Sequence, residues 1–118
     1  MELESLLQEL VEETPSALGS LILSEEGDTI AEYNRLRLTD LNLFAAEYSR
    51  LCREIKNIVS QLNMGKVSEL AIKTDQLFLF AYYFGPHVVV LLTLPEARHG
   101  EAQFRLKNFG ERISLELS

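Results

Sequence analysis

Few residues in this 118-residue sequence are of the kinds that do covalent or metal chemistry. There is one cysteine, Cys52, and two histidines, His87 and His99. A nucleophilic thiol needs a base to hold it as thiolate, and no histidine flanks Cys52, so buried packing is its default role. The histidines have no Cys/His ligand spacing; a turn and a surface position suit them better than a metal. The run "GKVS" at 65–68 resembles the end of a phosphate-binding loop, but that loop needs a glycine five residues before the Gly-Lys pair and a preceding strand. Ser60 stands there instead, inside a helical pattern. None of the 18 acidic residues forms a pair marked out for acid–base work. Arg35, Arg37, Arg50 and Arg53 gather around the start and outer face of a long helical segment. They either offer charge to a partner's phosphates or carboxylates, or are solvated and paired with neighbours such as Glu47 and Glu54. These residues predict no enzyme, no cofactor and no metal.

What must position them is one compact domain over residues 1–118. Apolar residues make up 47% of the chain, a globular composition. A chain of this length buries roughly two-thirds of its unfolded surface, so it needs no disulfide or metal. The net charge of −7 and a pI near 4.8 argue against nucleic acid and against polybasic membrane docking. No apolar run approaches the ~18 residues of a membrane span. The start "MELESLLQEL" is acidic and unlike a signal peptide. A lone cysteine suits a reducing compartment, so a cytoplasmic location is expected.

The spacing of Leu3, Leu6, Leu7, Leu10 and Val11 predicts a first helix ending at Thr14–Pro15. The stretch "ALGSLILSEEGDTIAEYN" (17–34) reads as an antiparallel hairpin, with Gly27 where a tight turn needs positive φ. Thr39 or Asp40 caps a long helix over about 40–63 that stops at Met64–Gly65. "ELAIKT", "LFLFAYYF" and "VVVLLTL" follow as three strands, and Ala102, Leu106, Phe109, Ile113 and Leu117 mark a last helix. The fourth and fifth strands are apolar at nearly every position, so both of their faces must be covered. The predicted fold is α+β: a five-stranded antiparallel sheet, one long helix on one face and two on the other, in the order α-β-β-α-β-β-β-α.

The apolar arc of the long helix runs over Leu41, Phe44, Ala45, Tyr48, Leu51, Cys52, Ile55, Ile58, Val59 and Leu62. At 100° per residue it covers roughly 140°, wider than one sheet needs. The large flank (Phe44, Leu51, Ile58, Leu62) is expected on the domain's own sheet. The small flank (Ala45, Cys52, Val59) is then open to a second helix, with Cys52, near the helix midpoint, closest to a two-fold axis. A helix simply well buried in a monomer, with Cys52 facing its own sheet, is the alternative. The third strand is apolar and proline-free, an edge that invites pairing.

The order of elements, the start "LESLLQELVEETPSALGSLILSEEGDTIA" and the helix "LTDLNLFAAEYSRLCREI" resemble the Roadblock family, which includes dynein Roadblock light chains and MglB-like small-GTPase regulators. The family's Asn-Leu-Gly element before the last helix reads Arg98–His99–Gly100 here. The resemblance implies a symmetric dimer, with third strands paired edge to edge and long helices side by side, and no active site of its own. On it the expected homodimer interface is Ala45, Tyr48, Cys52, Ile55 and Val59 with Leu70, Ala71, Ile72 and Lys73 of the third strand. It also implies a Ras-like small GTPase as partner, scaffolded or activated without an arginine finger. Arg50, Arg53, Glu54 and Asn57 are the contacts expected for it. The alternatives are a structural subunit of a motor or membrane-tethered complex, and a small-ligand sensor, which needs a cavity with convergent polar groups. The apolar fourth and fifth strands offer few such groups.

Overall fold

A computed structural model describes residues 2–24, 26, 28–35 and 41–117, with side chains for all of these except 41–46. In chain order the elements are α1 (Glu2–Glu13), β1 (Ala17–Ser24), β2 (Thr29–Asn34), α2 (Leu41–Gln61), β3 (Glu69–Lys73), β4 (Phe78–Phe84), β5 (His87–Thr93) and α3 (His99–Leu117). The five strands form one antiparallel sheet in the order β2-β1-β5-β4-β3. This is the α+β order expected. The turn glycine Gly27 and the cap residues Thr39 and Asp40 lie outside the described residues.

Strand alternation splits the core into two layers. Ile22, Ala31, Phe78, Phe80, Val89 and Leu91 point to one face, where Leu6, Leu7, Leu10 and Val11 of α1 and Ala102, Leu106, Phe109 and Ile113 of α3 cover them. Leu21, Leu23, Leu79, Ala81, Val88, Val90 and Leu92 point to the other face, under α2. With both faces covered, β4 and β5 can be apolar at successive positions, as their sequence demands. The buried Ser20 hydroxyl is satisfied by donating to the Val90 carbonyl at 2.7 Å. On the α1/α3 side, Gly110 allows α3 to approach β4 closely. A Cβ there would stand 2.5 Å from Cδ2 of Tyr82.

The end of α2 is set by Asn63 rather than Gly65. Asn63 takes a left-handed φ of 55°, and the amides of Asn63 and Met64 donate back to the carbonyls of Ser60 and Val59, both at 3.1 Å. This pairing closes a helix in a Schellman motif, and asparagine is the usual non-glycine residue to adopt it. Gly65, also at positive φ, turns the chain into β3.

β3 is the edge of the sheet and alternates between exposed and half-buried residues. Leu70 and Ile72 lean on the core layer under α2, while Glu69, Ala71 and Lys73 are exposed. At the far edge β2 packs through its face against α1. The hairpin therefore supplies an interior strand and one edge, and β3 is the opposite edge, which can pair with another strand.

Candidate interaction surface and basic cavity

α2 divides its residues among three directions. Tyr48 and Cys52, each 5% exposed, point down onto the sheet, and Ile55 and Val59 are half-buried beside them. Leu51, Ile58 and Leu62 recur at helical spacing along one flank and are 37%, 54% and 62% exposed. Arg50, Arg53, Glu54 and Asn57 are exposed, as expected for an outer face. Arg50 pairs with Glu47 at 2.7 Å in a solvated ion pair.

The expected orientation of the helix is thus reversed. The large residues Leu51, Ile58 and Leu62 face outward and the small Cys52 faces the sheet. The reason lies in the layer beneath, where Leu21, Leu23, Leu79, Val90 and Leu92 already fill the gap. The Cys52 thiol and the Tyr48 ring complete this layer. The placement of Cys52 nearest a two-fold axis rested on the opposite orientation, and Cys52 and Tyr48 belong instead to the monomer's own core. The side chains of Phe44 and Ala45 lie outside the described residues.

Within this apolar layer two tyrosine hydroxyls stand near Cys52. Burial pushes its thiol above the ordinary value, while the nearby hydroxyls of Tyr83 and Tyr48 and the charge of Lys56 pull in the opposite direction. Burial raises both tyrosines as well. The Tyr83 hydroxyl is buried beside the thiol, and no nitrogen or oxygen of the described residues gives it a hydrogen bond. The burial of Cys52 and its raised thiol pKa are in keeping with a packing role.

Next to it, between α2 and the β4–β5 turn, opens a cavity of about 250 Å³. Its wall includes Ser49, Cys52, Arg53, Lys56, Tyr83 and His87. A second cavity of about 610 Å³ adjoins it, sharing Lys56, Asn57 and Tyr83, and runs beneath Ser60 to Lys66. Of the expected partner contacts, Arg53 and Asn57 come together on this wall; Arg50 and Glu54 lie off it. Sequence reasoning missed the cavity because it judged the strands by their apolar middles. Their ends, Tyr83 and His87, supply polar groups, and Arg53 and Lys56, three apart on one helix flank, were the available signal. His99 is elsewhere, edge-on to Phe78 and Phe80 at 5.3 and 5.4 Å. Among the described residues no group of His, Cys, Asp or Glu is placed to hold a metal ion, and no helix is long and apolar enough to cross a membrane.

The chain is an α+β domain, an antiparallel five-stranded sheet with one long helix on one face and two on the other. The profile of the Roadblock/LC7 domain matches residues 3–93, and the chain belongs to that family. Among solved structures, it is similar to a Roadblock/LC7 domain from Streptomyces avermitilis (18% identity, TM-score 0.87, 97% of this chain and 96% of that one). It is also similar to MglB of Myxococcus xanthus (11% identity, TM-score 0.91, 99% and 95%). A third likeness is to an MglB described with a tetrameric arrangement (17% identity, TM-score 0.86, 94% and 84%). At such identities the likeness is one of fold. No curated protein sequence matches the chain. The family match ends at Thr93, and these structures superpose on nearly the whole chain.

Proposed function

We propose that the chain is a non-enzymatic, cytoplasmic Roadblock domain over residues 1–118 that forms a homodimer and regulates or scaffolds a Ras-like small GTPase. The observation that carries the dimer is the exposed apolar stripe Leu51–Ile58–Leu62 on the same molecule as an uncovered sheet edge. A monomer gains nothing from three large apolar side chains in a row on a helix flank. Two copies related by a two-fold axis bury both stripes at once and join β3 to β3, satisfying the edge's free backbone groups. Ile55, Val59, Leu70, Ala71, Ile72 and Lys73 border this interface.

The GTPase reading rests on family membership and on the exposed polar face of α2. Arg50, Arg53, Glu54 and Asn57 would contact the partner there, leaving the core undisturbed. Hydrolysis, where accelerated, would proceed on the GTPase's own catalytic residues. The test uses the purified chain and the Ras-like GTPases of its own genome, each loaded with GDP or a GTP analogue. One GTPase should bind, and Arg50→Glu with Arg53→Glu should weaken it while the oligomeric mass stays unchanged. Failure of every GTPase to bind in either nucleotide state overturns the GTPase reading. Unchanged affinity in the double variant moves the contact away from this face.

A further inference from the structure

We infer that the cavity between α2 and the β4–β5 turn is a binding site for a small organic anion, with a carboxylate or phosphate head and an apolar body. The inference does not rest on the dimer or on the GTPase, although Arg53 and Asn57 belong both to this wall and to the proposed GTPase face.

The electrostatics come first. The chain carries 18 acidic residues against 11 basic ones. Yet the two adjoining cavities carry Arg53, Lys56, Lys66 and the His87 imidazole, and no Asp or Glu among the described residues on their walls. This sorting of charge is local. Arg50, Arg105 and Arg112 each hold a glutamate, at 2.7, 3.2 and 3.1 Å. Arg53 holds none among the described residues, so its guanidinium remains available to a planar oxyanion in the two-pronged geometry that arginine favours. In a cleft with low-dielectric walls, like-signed groups focus their field on the space between them.

The rest of the wall fixes the other half of the ligand. Cys52, Val88, Pro86 and the Tyr83 ring are apolar or weakly polar. The Lys56 ammonium sits 5.8 Å from the centre of the Tyr83 ring, a cation–π contact that keeps the cation at the cavity's edge. The Ser49 hydroxyl adds a donor from the same helix flank. An apolar base with converging donors is the usual composition of a small-molecule site. The smaller cavity, about 250 Å³, has the volume for a head group and a single ring, and the adjoining one, about 610 Å³, has room for a substituent. The site lies on the flank of α2 away from Leu51, Ile58 and Leu62, so covering that stripe leaves it open.

The test titrates the full chain with phenyl phosphate, benzoate, inorganic phosphate and neutral benzyl alcohol, followed by calorimetry and by backbone amide shifts. Phenyl phosphate or benzoate should bind saturably and shift the amides of Arg53, Lys56 and His87. The stronger of the two identifies the head group. Inorganic phosphate should bind more weakly, for want of an apolar body. Arg53→Gln with Lys56→Gln should weaken the organic anion by at least about tenfold, the loss expected for charge-assisted hydrogen bonds. Unchanged thermal unfolding would show that the variant is folded, and should it fail to fold, Arg53→Lys alone, which keeps the charge but loses the fork, should weaken binding measurably. No saturable binding of either organic anion up to ~10 mM overturns the inference, since a useful site lies well below that. So does benzyl alcohol binding as tightly as the anions, or an affinity indifferent to Arg53 and Lys56.

Discussion

Ile58→Lys should dissociate the dimer without unfolding the protomer. Ile58 is 54% exposed in the isolated chain, so about half of its transfer free energy is still unclaimed. Complete burial of such a side chain is worth about 1.5–3 kcal/mol, so the remaining half contributes roughly 1–1.5 kcal/mol per copy. A two-fold interface uses the residue twice, giving about 2–3 kcal/mol for the dimer. Lysine forfeits this and brings a second ammonium toward the same axis. At 1.4 kcal/mol per decade the dissociation constant should therefore rise by about ten- to a hundredfold, with the charge repulsion adding to this. Within the protomer, the half-exposed site loses little packing and lysine is the better helix former, so intrinsic stability should move by less than about 1 kcal/mol.

Sedimentation equilibrium over ~1–100 µM, a range spanning ordinary dimer affinities, reads the effect directly. Wild-type mass should climb above the 13.4 kDa of one chain, and the variant should stay near it with an unchanged far-ultraviolet spectrum. A wild-type chain that weighs 13.4 kDa throughout refutes the dimer. A variant that associates as the wild type does refutes the stripe as its interface.

Cys52 should resist thiol reagents and short thiol–thiol crosslinkers in the folded dimer and react once denatured; rapid native crosslinking would restore Cys52 to the dimer axis. The buried Tyr48 and Cys52 are both raised by burial, so their protonated forms belong to the fold and stability is complete below their ordinary values, near 10 and 9. Above about pH 10 the unfolded chain alone loses the Tyr48 proton, and stability should fall by up to about 1.4 kcal/mol per pH unit from this group, which denaturant titration across pH 8–11 would detect; a flat profile would show that Tyr48 ionises freely in the fold. Gly110→Ala places a methyl group 2.5 Å from the Tyr82 ring, so despite the ~1 kcal/mol helix-propensity gain it should destabilise by about 1–2 kcal/mol net; a rise in the thermal midpoint would show that the ring yields. Phe80→Ala, at the centre of the α1/α3 layer and 1% exposed, should cost about 3–5 kcal/mol in chemical denaturation, and a loss below 1 kcal/mol would contradict the packing.

The element order was legible because its signals are periodic and local. Leu6, Leu7, Leu10 and Val11 repeat as only a helix repeats, and the unbroken "VVVLLT" of β5 has no stable place except between two covered faces. The orientation of α2 was not legible by the same means. Periodicity gives the width of an apolar arc, but Tyr48 and Cys52 lie on one side of it and Leu51 and Ile58 on the other. Which side meets the sheet depends on how much space the strands leave, a property of Leu21, Leu79 and Leu92, which are distant in sequence. Size was a poor guide, since the sheet side takes both the large Tyr48 and the small Cys52. The cavity was hidden for a related reason: Arg53, Lys56, Tyr83 and His87 converge only through the β4–β5 turn passing beneath α2.

Once its phase is known, α2 carries three chemistries at separate angles. Its lower face is core, one flank is an apolar stripe, and the other flank, with Ser49, Arg53 and Lys56, is the cationic wall of a cavity. A helix that buried its large residues on its own sheet would have had no apolar surface left for a second copy. It would also have presented the thiol, useless as a hydrophobic anchor at that size, in their place. The reversed orientation leaves the strong apolar contacts for association and spends the weak ones on the monomer. This division also makes the sites separable. Ile58 and Arg53 project from opposite flanks and share no partner, so their substitutions should combine additively in association and in anion binding. Coupling between them would mean that α2 shifts on its sheet when either flank is occupied.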